Sequence, residues 1–192
     1  LVNRGDESYA VQFLDLESNT WTRRTPFLHT PAYSVVLAWH PASTMVGVVQ
    51  GDQSARVWNR QGRMVARARV PTEHGKTYGI AFSGDGSRLV VGTDKGWVHT
   101  FDASSGAPVG TPLRVLADVP AATFGVNRDG SRALSSVGGR VQLLDLDAGR
   151  VTRTADVGFQ VAGFAWSPDV TTVAVTGQLT TVDGTSMVAL LD

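Results

Sequence analysis

Two short motifs return along the chain at a nearly fixed interval, and nothing else in the sequence restricts its fold as much. Four segments, VVLAWHPAS, YGIAFSGDG, ATFGVNRDG and AGFAWSPDV, align on Trp39, Phe82, Val126 and Trp166, which lie 43, 44 and 40 residues apart. A second marker, QFLD, RVWN, HTFD, QLLD and ALLD, ends at Asp15, Asn59, Asp102, Asp145 and Asp192, with spacings of 44, 43, 43 and 47. Self-similarity at this period marks a repeat architecture, in which each unit buries its apolar face against its neighbours.

Inside a unit the runs are short, rich in Val, Thr, Leu and aromatics, and bounded by Gly, Asp, Ser and Pro, which is the grammar of strands. No window sustains a 3.6-residue apolar period, so helix is not expected. The middle unit predicts strands near 78–83, 88–93, 97–102 and 108–115, joined by GDGS, DKG and SSGA. These turn residues tolerate positive φ or bond their own backbone, as tight hairpins require. Four antiparallel strands per period make a propeller blade. In the first strand the third and fifth positions are large (Leu37 and Trp39, Ile80 and Phe82, Phe124 and Val126, Phe164 and Trp166), while the fourth is Ala38, Ala81, Gly125 or Ala165. An innermost strand buried on both faces where blades converge has room for only a small residue on one side. In the outer strand RMVARARV, alternation places Met64, Ala66, Ala68 and Val70 on one face and Arg63, Val65, Arg67 and Arg69 on the wet one.

The totals fit a folded domain without an obvious polyelectrolyte partner. Among 192 residues, 17 basic and 17 acidic side chains cancel, which argues against nucleic acid or an anionic membrane. There are no cysteines, which removes disulfides, thiolate metal sites and thiol nucleophiles. No apolar run is long enough for a membrane-spanning helix. The opening LVNRGDESYAVQFLDL has no signal-peptide shape, and a true N-terminus upstream is expected.

With period, turns and strand endings in place, the chain resembles the WD-repeat family of β-propellers, in a divergent form of the bacterial multidomain-regulator type. The resemblance runs from about Tyr9 to Asp192 and rests on recurrence in register of Ser167-Pro168-Asp169, Asp85-Gly86 and Asp129-Gly130 after the first strand and of the Asp or Asn ending the third. It implies an all-β propeller of four-stranded antiparallel blades, present as a partial ring of about four. The expected layout is a partial blade over 9–28, blades over 33–70, 78–115 and 121–156, and an incomplete one over 161–192, seventeen strands in an arc of a larger ring. The family links a His before a blade, a hydroxyl in the second strand, a Trp in the third and an Asp in the turn between them. Here His29, Asp52 and Trp58 meet Val48 and Val49 where the hydroxyl is wanted. His74, Thr93 and Asp94 meet Phe101 instead of Trp. Apolar packing is expected to carry more of the fold than buried polar networks.

Candidate chemistry is thin. His29 and His74 fall in equivalent loops, yet loop hydrogen bonding explains them better than a shared metal; His40 lies on a turn at the opposite end and His99 within a strand. The aspartates follow strands or sit in DG turns, which assigns them to turn formation rather than acid or base work. DLDAGR supplies only the beginning of a calcium loop, and Arg4-Gly5-Asp6 is a chance tripeptide. No nucleophile elbow or phosphate-binding glycine loop is present. Arg56, Arg60, Arg63, Arg67 and Arg69, without an acid between Asp52 and Glu73, read as the solvated outer edge of a blade, ahead of an acidic-partner patch.

The resemblance implies recognition on the face that carries the loops leading into blades and the turns between second and third strands. On this chain that face comprises Tyr33, Gln53, Glu73, Lys76, Lys95, Trp97, Arg140 and Gln160, with Trp97 the foremost anchor. FDASSGAPVGTPL and LLDLDAGRV are similar to repeats appended to bacterial regulators and kinases. The reading is a non-catalytic protein or peptide interaction module of a larger regulatory or signalling protein, cytoplasmic, without cofactor or metal, and with the remaining blades of the parent chain as further partners. Direct nucleic-acid or membrane binding is not expected. The alternative is a propeller enzyme or small-molecule sensor of the lactonase or quinoprotein type, which needs convergent titratable groups at the ring's mouth.

Overall fold

A computed structural model describes residues 2–3, 8–21, 25, 28–29, 35–115, 123–137, 139–178 and 186–191. The first five strands are short: β1 (Val2–Asn3), β2 (Ser8–Ala10), β3 (Leu14–Asp15), β4 (Thr20–Trp21) and β5 (Leu28–His29). A first blade follows as β6 (Val36–Trp39), β7 (Met45–Val49), β8 (Ser54–Asn59) and β9 (Met64–Arg69). The second is β10 (Thr77–Phe82), β11 (Arg88–Thr93), β12 (Trp97–Asp102) and β13 (Pro108–Arg114). The third is β14 (Thr123–Val126), β15 (Arg132–Val137), β16 (Arg140–Asp145) and β17 (Arg150–Asp156). A last sheet holds β18 (Gln160–Trp166), β19 (Val173–Gln178) and β20 (Ser186–Leu191).

Each of the last four sheets is an antiparallel meander whose strands pair in chain order, β6-β7-β8-β9 and so on, and these sheets touch one another through their inner strands. Among the described residues the only helical element is a 3₁₀ turn at Thr72–His74. The architecture is thus the all-β propeller, with the second blade's strands within a residue or so of their expected limits. The N-terminal stretch differs in detail: β1 pairs with β2, which pairs with β5, while β3 and β4 form a separate hairpin. Among the described residues, breaking two expected strands into pieces and adding β1 gives twenty strands where seventeen were expected.

Large and small residues interlock between the first two blades and between the third blade and the last sheet, but β6 departs from the expected burial on both faces, with Leu37 and Trp39 44% and 57% exposed. Ile80 and Phe82, only 7% and 8% exposed, face the first blade and pack with Val49, Ala55 and Val57. Gly47 makes the space, since a Cβ there would lie 2.8 Å from Ile80 Cδ1. At the next but one interface Gly125 does the same, its position 3.1 Å from Phe164 Cβ, while Trp166 Nε1 donates to the Gly125 carbonyl at 3.0 Å. Close packing of this kind leaves no room for another methyl group.

The outer strand departs from simple alternation. Val57 faces Ala66 but Trp58 faces Met64, so Val65 is an extra residue, a β-bulge. Ala66, Ala68 and Val70 are buried as expected, but the bulge turns Met64 outward, 50% exposed, and it leaves the face it was expected to share with them.

Candidate functional site

The rim that carries the loops leading into blades is built by backbone bonds repeated from unit to unit. Val70 N–H donates to the Gln53 carbonyl, Val115 N–H to Gly96 and Val157 N–H to Gly139, at 2.8–2.9 Å, pinning the end of each outer strand to the turn between second and third strands. Thr77 N–H reaches the Asp52 carbonyl at 2.7 Å, which ties the second blade to the first at the same level. Gln53, Lys95 and Arg140 therefore occupy equivalent turns. Glu73 and Lys76 lie in the loop leading into the second blade, and Gln160 opens β18. Of the expected residues, the structure brings Glu73, Lys76, Lys95 and Trp97 together; Gln53, Arg140 and Gln160 belong to neighbouring blades, and Tyr33 lies outside the described residues.

Two short bonds close the 71–76 loop onto the 93–96 turn. Lys76 N–H donates to Asp94 Oδ1 at 2.8 Å, and Lys95 Nζ donates to the Glu73 carbonyl at 3.3 Å. Gly75 has φ 93° and lies so close that a Cβ would collide with the Asp94 carboxylate, so only glycine fits. His74 is thereby laid over Trp97, ring centroids 3.7 Å apart and planes 13° apart. Arg114, opposite Trp97 across the β12–β13 pair, sets its guanidinium carbon 5.9 Å from the Trp97 centroid. Trp97 is half-buried, a platform framed by its own loop rather than a side chain standing free.

Beneath Trp97 lies His99, which sequence reading left as an ordinary strand residue. Its Nε2 is 3.2 Å from His74 Nδ1, and its ring stacks at 5.9 Å and 10° on Phe101. His99 is 3% exposed; burial, and then the neighbouring His74, hold its pKa down at about 4. It is therefore neutral at pH 7, and one ring of the pair donates to the other. The signal was present: Trp97, His99 and Phe101 alternate along β12 and must share a face.

The same position of the third strand is filled differently in each sheet. In the first it is Arg56, 6% exposed, whose guanidinium meets Asp52 Oδ2 at 2.6 Å. Burial raises the Asp52 pKa, but Arg56 and Ser54 outweigh it and hold the carboxyl below its ordinary value. Arg56 thus does not belong to a solvated outer edge. The remaining cluster is exposed, with Arg60 3.6 Å from Asp15, and burial followed by the charges of Arg56 and Arg69 lowers the Arg67 pKa. In the third blade the position is Gln142, whose Oε1 is buried without a partner beside the equally unpartnered Ser135 Oγ. Trp58 Nε1 is also buried without a partner, as expected where Val48 and Val49 replace a hydroxyl.

On the opposite rim the aspartates make turns. Asp85, Asp129 and Asp169 accept from Ser87, Ser131 and Thr171, and Ser83 and Ser167 add bonds of 2.6 Å. Neighbouring turns are bonded to one another, Asp85 N–H to the Arg128 carbonyl at 2.6 Å, and Arg88 bridges the Gly130 carbonyl and Asp147. His40 takes the place of Ser83 in the first blade, accepting from Ala42 N–H and packing on Gly86 of the next turn. Among the described residues there is no group of three or more His, Asp and Glu placed to hold a metal.

Radially adjacent four-stranded meanders, bonded rim to rim, define a WD-repeat-like β-propeller. No protein-family model and no curated protein matches the sequence. Solved structures do, 1341 chains in all, so the likeness is to a widely shared fold rather than to one protein. One of them, a chain in the crystal structure of a mitotic checkpoint complex, superposes with a TM-score of 0.74 at 17% identity. The match covers 96% of this chain and 55% of that one, so this chain spans a little over half of its structural neighbour.

Proposed function

We propose that the chain is a non-catalytic protein- or peptide-binding scaffold module of a larger regulatory or signalling protein, of the bacterial multidomain type, acting in the cytoplasm. The observation that carries the reading is the rim around Trp97. Loops of consecutive blades are fixed there by backbone bonds, and Trp97, His74 and Arg114 form an aromatic and cationic platform flanked by Lys76 and Lys95. Rigid presentation of an aromatic and an Arg favours protein recognition, because little side-chain entropy remains to be lost on binding. The structural neighbour comes from a multiprotein complex, which is in keeping with this reading. The phrases FDASSGAPVGTPL and LLDLDAGRV support the regulatory setting.

The test is affinity capture with the folded chain, comparing wild type with Trp97→Ala and Lys95→Glu on this rim and Arg128→Glu on the other. Loss of captured partners with the first two alone, at unchanged melting temperature, is the expected result. Capture indifferent to both rim variants would remove this face from the function. Turnover in a hydrolase screen, or a stoichiometric metal in the purified protein, would overturn the non-catalytic assignment.

A further inference from the structure

The outer strand of the first blade carries more positive charge than its neighbours balance. Arg67 stands directly opposite Arg56 across the β8–β9 pair, and Arg69 follows it on the same face. Like charges opposed across strands repel. Asp52, the acid beside them, is taken by Arg56 at 2.6 Å, and Arg67 gains only a 3.5 Å contact with Ser54 Oγ. Burial, and then the charges of Arg56 and Arg69, hold the Arg67 pKa down against the pull of Asp52. Among the described residues no ion pair involves Arg63, Arg67 or Arg69.

The openness of this face belongs to the fold and not to the ends of the chain. Arg69 is equivalent to Arg114 and Asp156, and Arg67 to Thr154, and all of them are exposed. The second and third blades are each preceded by a complete four-stranded sheet, and their outer faces are open all the same. The chemistry is what sets the first blade apart. Its bulge residue, Val65, stands where the third blade has Thr152, and it is 39% exposed. The backbone edge of β9 is not available for pairing there, because Gly106 of the second blade backs onto it so closely that a Cβ would lie 2.6 Å from the Arg67 carbonyl oxygen. Contact must come through side chains.

We propose that this face of β9 is a docking surface for an extended acidic segment of a partner protein, presenting one aliphatic and two carboxylate side chains at alternate positions to Val65, Arg67 and Arg69. Side chains on one face of a strand recur about every 7 Å, and an extended peptide has the same repeat, so acids at every second position meet both guanidinium groups in charge-assisted bonds. Val65 favours a peptide over a nucleic acid, and a net charge of zero supplies no long-range field for a polyanion. The surface is distinct from the Trp97 rim of the second blade, and its test does not depend on that rim.

The probes are the synthetic peptides LSESESL, LSKSKSL and SSESESS, titrated by isothermal calorimetry into the 192-residue chain. LSESESL is expected to bind about 10-fold or more tighter than LSKSKSL at low salt, the gap narrowing as salt screens it. Arg67→Glu combined with Arg69→Glu should reverse that preference. Arg69→Gln, which removes one charge and adds none, should give a smaller loss and keeps the test valid if the double variant fails to fold. Val65→Ser should weaken LSESESL about 2-fold to 3-fold and leave SSESESS unchanged, and Lys95→Glu on the other surface should alter neither. Failure of LSESESL to bind, equal binding of the acidic and basic peptides at low salt, or indifference to the arginine variants overturns the proposal. So does a short oligothymidylate that binds more tightly than LSESESL, because the surface would then belong to nucleic acid.

Discussion

Acidification should weaken the fold in two separate stages, and the first belongs to His99. Its pKa falls from an ordinary 6.5 in the unfolded chain to about 4 in the folded one. Between those values the unfolded state binds the extra proton, so stability is fully present above about pH 6.5 and drains away as pH drops toward 4. The whole interval corresponds to about 3 kcal/mol at about 1.4 kcal/mol per pH unit, and the opening toward solvent at His74 reduces the expected loss to about 2 kcal/mol. The second stage comes from carboxylates. Asp102 is held at about 2 by bonds from Ser104 and Ser105, and Ser131 and Ser167 lower Asp129 and Asp169 below their ordinary 3.8. Stability from depressed carboxyls is present above about pH 4 and lost below it, so the two stages barely overlap. The assay is urea unfolding at pH 7.5, 6.0, 5.0 and 4.5 for wild type and His99→Gln, the residue that fills the same position in the third blade. The variant sets its own baseline; the quantity of interest is how the difference between the two proteins changes with pH. A difference that stays flat from pH 7.5 to 4.5 would refute the reasoning.

Arg56→Ala strands the half-buried Asp52 and should cost about 3 kcal/mol in urea unfolding, whereas Arg60→Ala, which touches Asp15 only at the surface, should change stability by less than about 0.5 kcal/mol. Gly125→Val should cost about 1–3 kcal/mol, read as a lowered melting temperature, because the new side chain must enter space occupied by Phe164 and Trp166.

Architecture was legible because propeller geometry is written into local chemistry. The alternation of Ile80, Ala81 and Phe82, and the hairpin residues Asp85-Gly86 and Asp129-Gly130, each follow from constraints that act within a few residues or between adjacent blades. Bulges escaped, since nothing in RMVARARV announces that Val65 is the extra residue. The site was legible in outline and opaque in mechanism. Trp97, Lys95, Lys76 and Glu73 were placed on one rim by repeat position alone, and they do lie there. That His74 reaches across to His99, and that Arg56 turns inward to Asp52, depends on how a loop of one length folds over a turn of another. Charge spacing along the chain misassigned Arg56 because it counts residues, while burial depends on which strand they occupy: Arg56 lies on β8, which is buried on both faces between β7 and β9, whereas Arg67 and Arg69 lie on the outer strand β9. Arg56 shares its face with Trp58 and Val48, both buried.

One position turns that cross-strand register into a stabilising change. Val48, Val91, Ser135 and Val175 are equivalent, each opposite the variable third-strand residue, Arg56, His99, Gln142 or Ala189. All four are fully buried, and only the serine breaks the apolar set. Its Oγ has no hydrogen-bond partner, so the folded state forfeits the hydration that the hydroxyl enjoys when unfolded, a loss of about 1–3 kcal/mol. Ser135→Val removes that hydroxyl and inserts the side chain that three sister sheets already accommodate. The added volume is about two methyl groups in place of one oxygen, and some crowding against Gln142 offsets part of the gain. The net expectation is about 1 kcal/mol of added stability, seen as a higher urea midpoint with an unchanged slope. A lower midpoint would mean that Ser135 and Gln142 satisfy one another through a contact this arrangement does not contain, and the equivalence of the four positions would no longer predict their energetics.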